Sequence, residues 1–226
     1  MKTVLRFDTR NAFCLPSAFQ EEDVRFSDAF AEYFIEHFSK PEDIVFDPFA
    51  GFGTTLLAAE KRGRHALGVE LLPERVSYIQ SRLQPQSTII CGSALTLDEM
   101  DLSMIDFVLT SPPYMQRTNH PEYPFAGYKV TGQGYDDYLH DTADIFRQLR
   151  GKLKPNAYVV IEASNLLIDG HFTPLAWDIA RSVGAILSFR QEIIIDWQRD
   201  AALAYGFGYD HSYALVFQHG EDPCGV

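Results

Sequence analysis

From Asp43 onward the chain alternates short β-branched or apolar runs with amphipathic stretches of helical length, which is the pattern of a parallel sheet wrapped by helices. No other feature of the sequence constrains the fold as strongly. Strand-like runs are Ile44–Asp47, His65–Glu70, Thr88–Cys91, Ile105–Thr110 and Tyr158–Ala163, followed by Phe189–Trp197 and Tyr213–Gln218. The spacing predicts helices over Thr54–Arg62 and over Pro73–Leu83, the latter opening with Pro at a favoured first-turn position. The predicted class is α/β, with seven strands in one domain.

Ahead of the first strand, Phe26, Phe30, Tyr33, Phe34 and Phe38 recur every three or four residues. That spacing lays the rings along one helical stripe, with Ser27 or Asp28 as its cap. No repeat, low-complexity tract or Ser/Gly linker divides the chain, so residues 1–226 are expected to form a single domain. The long irregular segment Tyr114–Gly134 stands out, since structureless loops of about twenty residues in compact domains are usually functional or disordered. Its aromatics Tyr123, Phe125 and Tyr128, with the adjacent Tyr135, favour function.

Composition narrows the classes further. With 226 residues, 46% hydrophobic and 22% charged, the chain reads as an ordinary globular protein. No apolar stretch approaches the roughly 20 residues that span a bilayer, and Met1–Arg10 carries charge where a signal peptide needs an apolar run; a cytoplasmic protein without a membrane partner is expected. Cys14, Cys91 and Cys224 are too few and too far apart for a disulfide framework or a CxxC site. The histidines form no HxxxH or HxH pair, so no metal site is expected. The formal charge of −12, from 19 basic and 31 acidic side chains, excludes a simple basic nucleic-acid sleeve.

Two constellations carry chemistry. In the first, Ile44-Val-Phe-Asp47-Pro-Phe-Ala-Gly51-Phe-Gly53-Thr-Thr55 is a strand ending in an acid, then a tight glycine turn, then a helix start. Ligands of open α/β sheets bind outside the carboxyl ends of the strands, and Gly51 and Gly53 let the backbone approach closely. The third glycine of a dinucleotide fingerprint is replaced by Leu56, and no P-loop lysine follows, which weakens NAD and ATP as ligands. Asp47 instead suits a ligand bearing a positive amine or sulfonium. The next strand ends in Glu70, placed to accept both hydroxyls of a ribose. Each acid taken alone would also serve as a cap for the turn or helix that follows it.

In the second, the strand Ile105–Thr110 runs into Ser111-Pro112-Pro113-Tyr114. Two successive prolines fix φ and remove two donors. The carbonyls of Ser111 and Pro112 are thereby held in set directions and Tyr114 offers a flat stacking surface. Such a turn accepts hydrogen bonds from an amine and clamps a ring.

Together these motifs resemble the S-adenosylmethionine-dependent amino methyltransferases that modify the exocyclic amine of cytosine or adenine in DNA. The resemblance rests on Asp47-Pro-Phe-Ala-Gly-Phe-Gly-Thr-Thr55 and Thr110-Ser-Pro-Pro-Tyr114, and it takes in the helix from Phe26, the Glu70 strand, Leu149–Pro155 and His211–Phe217. It implies a Rossmann-like class I methyltransferase fold, S-adenosylmethionine as cofactor, and a DNA substrate. The cofactor-binding residues it implies are Phe26, Asp47, Phe49, Gly51, Gly53, Thr54 and Glu70; the catalytic ones are Ser111, Pro112, Pro113 and Tyr114. Ser at the head of the second motif resembles mainly the cytosine-N4 subset, so cytosine N4 is expected ahead of adenine N6.

Two departures accompany the resemblance. Where the family often carries an acid after the third strand to hold the cofactor's adenine amine, this chain has Cys91-Gly-Ser93-Ala94, leaving Ser93 for that role. Spare sequence for reading DNA is confined to the 114–134 loop and the tail, which points to a partner recognition subunit or a homodimer. Trp197 and Arg199 are candidates for facing substrate, and Arg117, Lys129 and Arg147 for phosphate contact. The rival readings are an RNA base methyltransferase of the same fold and a non-catalytic binding subunit.

Overall fold

The computed structural model describes residues 2–12, 14–117, 122–198 and 209–220. Its sheet has eight strands, one more than the sequence pattern predicts: β1 Val4–Asp8, β2 Ile44–Asp47, β3 His65–Glu70, β4 Thr88–Cys91, β5 Ile105–Thr110, β6 Leu153–Ala163, β9 Ser188–Gln198 and β10 His211–Gln218. A separate hairpin pairs β7 Leu166–Ile168 with β8 His171–Thr173. The extra strand is β1, an edge strand that pairs in parallel with β9. The spatial order is β1-β9-β10-β6-β5-β2-β3-β4, and only β10 runs antiparallel to its neighbours.

From β2 the chain winds outward through β3 and β4, then returns to lay β5 on the other side of β2. That reversal opens a crevice at the carboxyl ends of β2 and β5, the position where open α/β sheets take ligands. The fold therefore sets the Asp47 loop and the Ser111 turn side by side.

Helices cover both faces. On one face lie α1 Asp28–Phe38, α2 Thr54–Lys61 and α3 Pro73–Gln80, whose Phe30, Phe34, Leu56 and Ile79 join a buried cluster with Val45, Phe107 and Ile195. On the other, α4 Tyr135–Arg150 and α5 Leu175–Gly184 bury Tyr138, Ile145, Phe146 and Ile179. Of the aromatic stripe, Phe30 and Phe34 are core and Phe26, Tyr33 and Phe38 pack half-buried against them, and Ser27 caps the helix by accepting the Phe30 N–H at 3.4 Å. Both helices after the first strands end a little before the predicted limits, α2 at Lys61 and α3 at Gln80. No helix among the described residues is long and apolar enough to cross a membrane.

Within 114–134 the described residues are not structureless. A 3-10 turn covers Pro124–Ala126 and an isolated bridge joins Glu122 to Thr131. The Tyr123 hydroxyl donates to Asp141 at 2.5 Å, and Phe125 stacks between Phe49 of the loop after β2 and Tyr138 of α4, at 5.6 and 5.0 Å. Gly127, at φ 64°, lies against Leu71 and Leu72. The segment is thus anchored to α4 and to the loops that follow β2 and β3.

Candidate active site

The tight turn after β2 depends on two left-handed glycines, Gly51 at φ 57° and Gly53 at φ 84°. A Cβ on Gly53 would lie 3.1 Å from Ile79 Cγ1. An L-residue in this backbone region costs about 1–2 kcal/mol, and for a chain of this size each kcal/mol shifts the melting temperature by roughly 2–4 °C. Gly53→Ala is therefore expected to lower the melting temperature by about 2–8 °C in a thermal scan; an unchanged midpoint would show that the turn does not need glycine there.

The turn delivers Asp47 to the crevice, where it is almost fully buried. Its Oδ1 accepts from Thr110 Oγ1 at 2.6 Å and from the Phe49 N–H at 3.0 Å, while Oδ2 accepts from Thr55 Oγ1 at 2.8 Å. Burial pushes its carboxyl up to about 6; the three donors oppose that shift, and the Glu70 charge adds to it. Glu70 is likewise buried, with Oε2 accepting from the Gly51 N–H at 2.9 Å and Oε1 from the Leu72 N–H at 3.0 Å. Burial raises its pKa too. Both acids thus hold backbone, as caps do, and both line open space; Asp47 Oδ2 and the two Glu70 oxygens, each accepting one of these bonds, keep a second lone pair for a ligand.

That space is a cavity of about 690 Å³. Phe26, Asp47, Phe49, Gly51, Thr54, Glu70 and Ser93 line one side of it. Gly53 is absent from the wall and acts through the turn. Thr54 is 4% exposed and its hydroxyl is a buried group without a hydrogen-bond partner, the kind of polar atom a bound ligand satisfies. Ser93 caps the following 3-10 turn by accepting the Leu95 N–H at 3.3 Å.

Ser111, Pro112, Pro113 and Tyr114 line the other side of the same cavity. Ser111 Oγ donates to Glu162 Oε2 at 2.8 Å, and the Tyr114 hydroxyl donates to the same oxygen at 3.0 Å. Burial and the Glu162 charge hold the Tyr114 hydroxyl well above its ordinary pKa, so it remains a donor. With its proton committed to Glu162, Ser111 Oγ keeps its lone pairs for an incoming N–H.

Glu162, 8% exposed on β6, is the residue that sequence reasoning missed. The available signal was an acid inside the apolar run Tyr158–Ala163. Arg25 was missed as well: it lines the cavity with only 6% of its side chain exposed and pairs with Asp23 at 2.7 Å. Trp197 lies in the cavity wall, its indole N–H donating to Ser212 Oγ at 2.9 Å, whereas Arg199 falls outside the described residues. Of the basic candidates, Arg117 pairs with Asp178 at 3.4 Å and Arg147 pairs with Asp144, while Lys129 is exposed.

The fold is Rossmann-like, the fold that S-adenosylmethionine-dependent methyltransferases of known structure share. It is similar to TrmN from Thermus thermophilus, with a TM-score of 0.59 at 15% identity over 85% of this chain and 48% of that one. It is also similar to the N-methyltransferase NodS from Bradyrhizobium japonicum in complex with S-adenosyl-L-homocysteine, with a TM-score of 0.57 at 9% identity over 90% and 88% of the two chains. At these identities the likeness is one of fold.

In sequence, the family profile described as DNA methylase (N6_N4_Mtase) matches residues 17–81, the stretch holding α1, the glycine turn and Glu70. The putative methylase YubD of Escherichia coli (strain K12) is 49% identical over 49 residues, 22% of each chain. The type II methyltransferase M.HindIII of Haemophilus influenzae is 58% identical over 36 residues, 16% of this chain and 12% of its own. The chain thus spans less than a quarter of the length of these curated relatives.

Proposed function

We propose that this chain transfers a methyl group from S-adenosylmethionine to the exocyclic amine of a DNA base, cytosine N4 ahead of adenine N6. The observation that carries the reading is the shared acceptor Glu162 Oε2, to which both Ser111 and Tyr114 donate, beside a crevice whose other wall holds Asp47 and Glu70. Relatives named as DNA methylase and type II methyltransferase support DNA as the substrate, and the Ser-Pro-Pro-Tyr order supports cytosine.

The residues present suit the cofactor. Asp47 matches an ammonium, the buried Arg25 guanidinium a carboxylate, Glu70 a ribose diol, and the orphaned Thr54 hydroxyl and Ser93 further polar atoms. When bound, S-adenosylmethionine supplies an electrophilic methyl group on a sulfonium. Ser111 Oγ and the Pro112 carbonyl accept the amine's N–H bonds and localise its lone pair on nitrogen, and Tyr114 lies against the base. The proton released from nitrogen passes to Ser111 Oγ as the Ser111 proton moves to Glu162 Oε2. Holding amine and donor in line is worth about 7–11 kcal/mol, so no covalent enzyme intermediate is required.

Binding is tested by heating with and without S-adenosylmethionine. At a hundred times the dissociation constant the ligand stabilises by about 2.7 kcal/mol, a rise of roughly 5–10 °C for this chain length; no rise at saturation would refute the cofactor. Labelled methyl transfer to unmethylated DNA, with tRNA and ribosomal RNA in parallel, tests the substrate. Label confined to RNA would replace the reading by its RNA counterpart, and label in neither would favour a non-catalytic subunit.

A further inference from the structure

The β7–β8 hairpin follows β6 directly and is tied to the start of α5, where Asn165 Oδ1 accepts the Ala176 N–H at 3.1 Å. Leu166 and Ile168 turn into the cavity wall. Between them Leu167 points away, paired across the hairpin with Phe172, and these two side chains are 43% and 44% exposed. Trp177, in the first turn of α5, is 51% exposed. Three large apolar side chains in adjacent solvent positions mark a surface that meets something else.

Two features identify the partner. The rings run on into the cavity: Phe172 meets Trp177 at 6.0 Å and Tyr209 at 6.4 Å, and Tyr209 lines the cavity wall. Cations flank them as well. Exposed Arg181 stands one helical turn after Trp177, and exposed Arg117 lies over the Tyr135 ring at 5.6 Å. At a net charge of −12 the chain is poorly suited to binding governed by phosphate neutralisation. Stacking of bases on aromatic rings carries affinity without that charge and tolerates any sequence, and it needs base faces that a closed duplex conceals.

We propose that Phe172 and Trp177, with Leu167 beneath them, form a stacking ledge for the unpaired nucleotides that flank the target base, leading an opened or single strand into the cavity past Tyr209. This rests on the nucleic-acid reading of the cavity and adds where the strand runs and which form of it is bound.

The chain carries its own probe. Of its two tryptophans, Trp197 is 5% exposed and Trp177 51%, so quenching of the solvent-exposed emission reports on the ledge. The titrant is an unstructured twelve-nucleotide DNA strand of mixed sequence, with S-adenosylhomocysteine present throughout. Saturable quenching is expected, with weaker binding of the same sequence as a duplex. In anisotropy measurements with a labelled strand, Phe172→Ala and Trp177→Ala should each weaken binding about five- to a hundredfold, while the melting shift given by S-adenosylmethionine stays at the wild-type value. Absence of quenching, or wild-type affinity in both variants, overturns the ledge. So does light scattering that shows a dimer which Trp177→Ala turns into a monomer. Failure of the underlying reading looks different: a strand that binds and quenches but accepts no methyl group leaves the ledge standing and removes the activity.

Discussion

Glu162→Gln should lower the rate of methyl transfer by about 10²–10⁴, the usual contribution of a positioned proton acceptor, with little change in cofactor affinity. The amide matches the carboxylate in shape and keeps one acceptor oxygen for Ser111 Oγ and the Tyr114 hydroxyl, now 2.8 and 3.0 Å from Oε2. What it loses is the negative charge that can take up the Ser111 proton. The loss should therefore fall on kcat more than on KM, as expected when an interaction made only in the transition state is removed. Ser111→Ala and Tyr114→Ala are expected to fall in the same direction. Single-turnover measurement with labelled cofactor reads the step directly, and a Gln variant within threefold of wild type would remove Glu162 from the mechanism.

The second large effect concerns Asp47. Removing a buried charge that pairs with a ligand's opposite charge costs about 2–5 kcal/mol, so Asp47→Asn should weaken S-adenosylmethionine about thirtyfold or more. Burial pushes the Asp47 carboxyl up to about 6 in the ligand-free chain, well above the ordinary carboxylate range. Binding of a cation needs the ionised form, so affinity should be full above pH 6 and fall as pH drops through 6, roughly tenfold per unit, with the slope absent in the Asn variant.

Stability moves the other way. A carboxyl whose folded pKa is raised binds its proton more tightly in the folded state, so its contribution is present below the unfolded pKa and is lost as pH rises through about 6. That loss amounts to about 3 kcal/mol at neutral pH. Asp47→Asn should therefore melt at a higher temperature than wild type at pH 8 while binding cofactor less well, the exchange expected where a site stores destabilising charge. Calorimetry at pH 5 and pH 8 checks both signs; an Asn variant no more stable at pH 8, with an unaltered pH slope for binding, would contradict the account.

Much of this was legible because buried parallel strands announce themselves. Ile44–Asp47, His65–Glu70, Thr88–Cys91 and Ile105–Thr110 match the observed strands residue for residue, since strands covered on both faces read as unbroken apolar runs. Strand β1 did not: Val-Leu-Arg-Phe-Asp mixes charge with apolar residues, and only Leu5 and Phe7 pack against the core. The three-residue strands of the hairpin are too short to carry a period.

In the site, the glycine turn and the proline turn were legible as local chemistry, and the topology brought them together. Glu162 was not, because an acid within a strand has no meaning until its neighbours are known. The register that sets Thr110 opposite Ile161 is what delivers it to Ser111. Arg25 depends in the same way on the wall it joins.

The proposed activity of the crevice between β2 and β5 is methyl transfer to the exocyclic amine of a DNA base. Mass spectrometry of nucleosides, after incubating the chain and S-adenosylmethionine with unmethylated DNA, tests it most directly. The expected product is N4-methylcytosine in the digest, formed at least about a hundredfold more slowly with Glu162→Gln. A methyl group on ring carbon, or a digest without any methylated nucleoside from a chain that binds the cofactor, would contradict it.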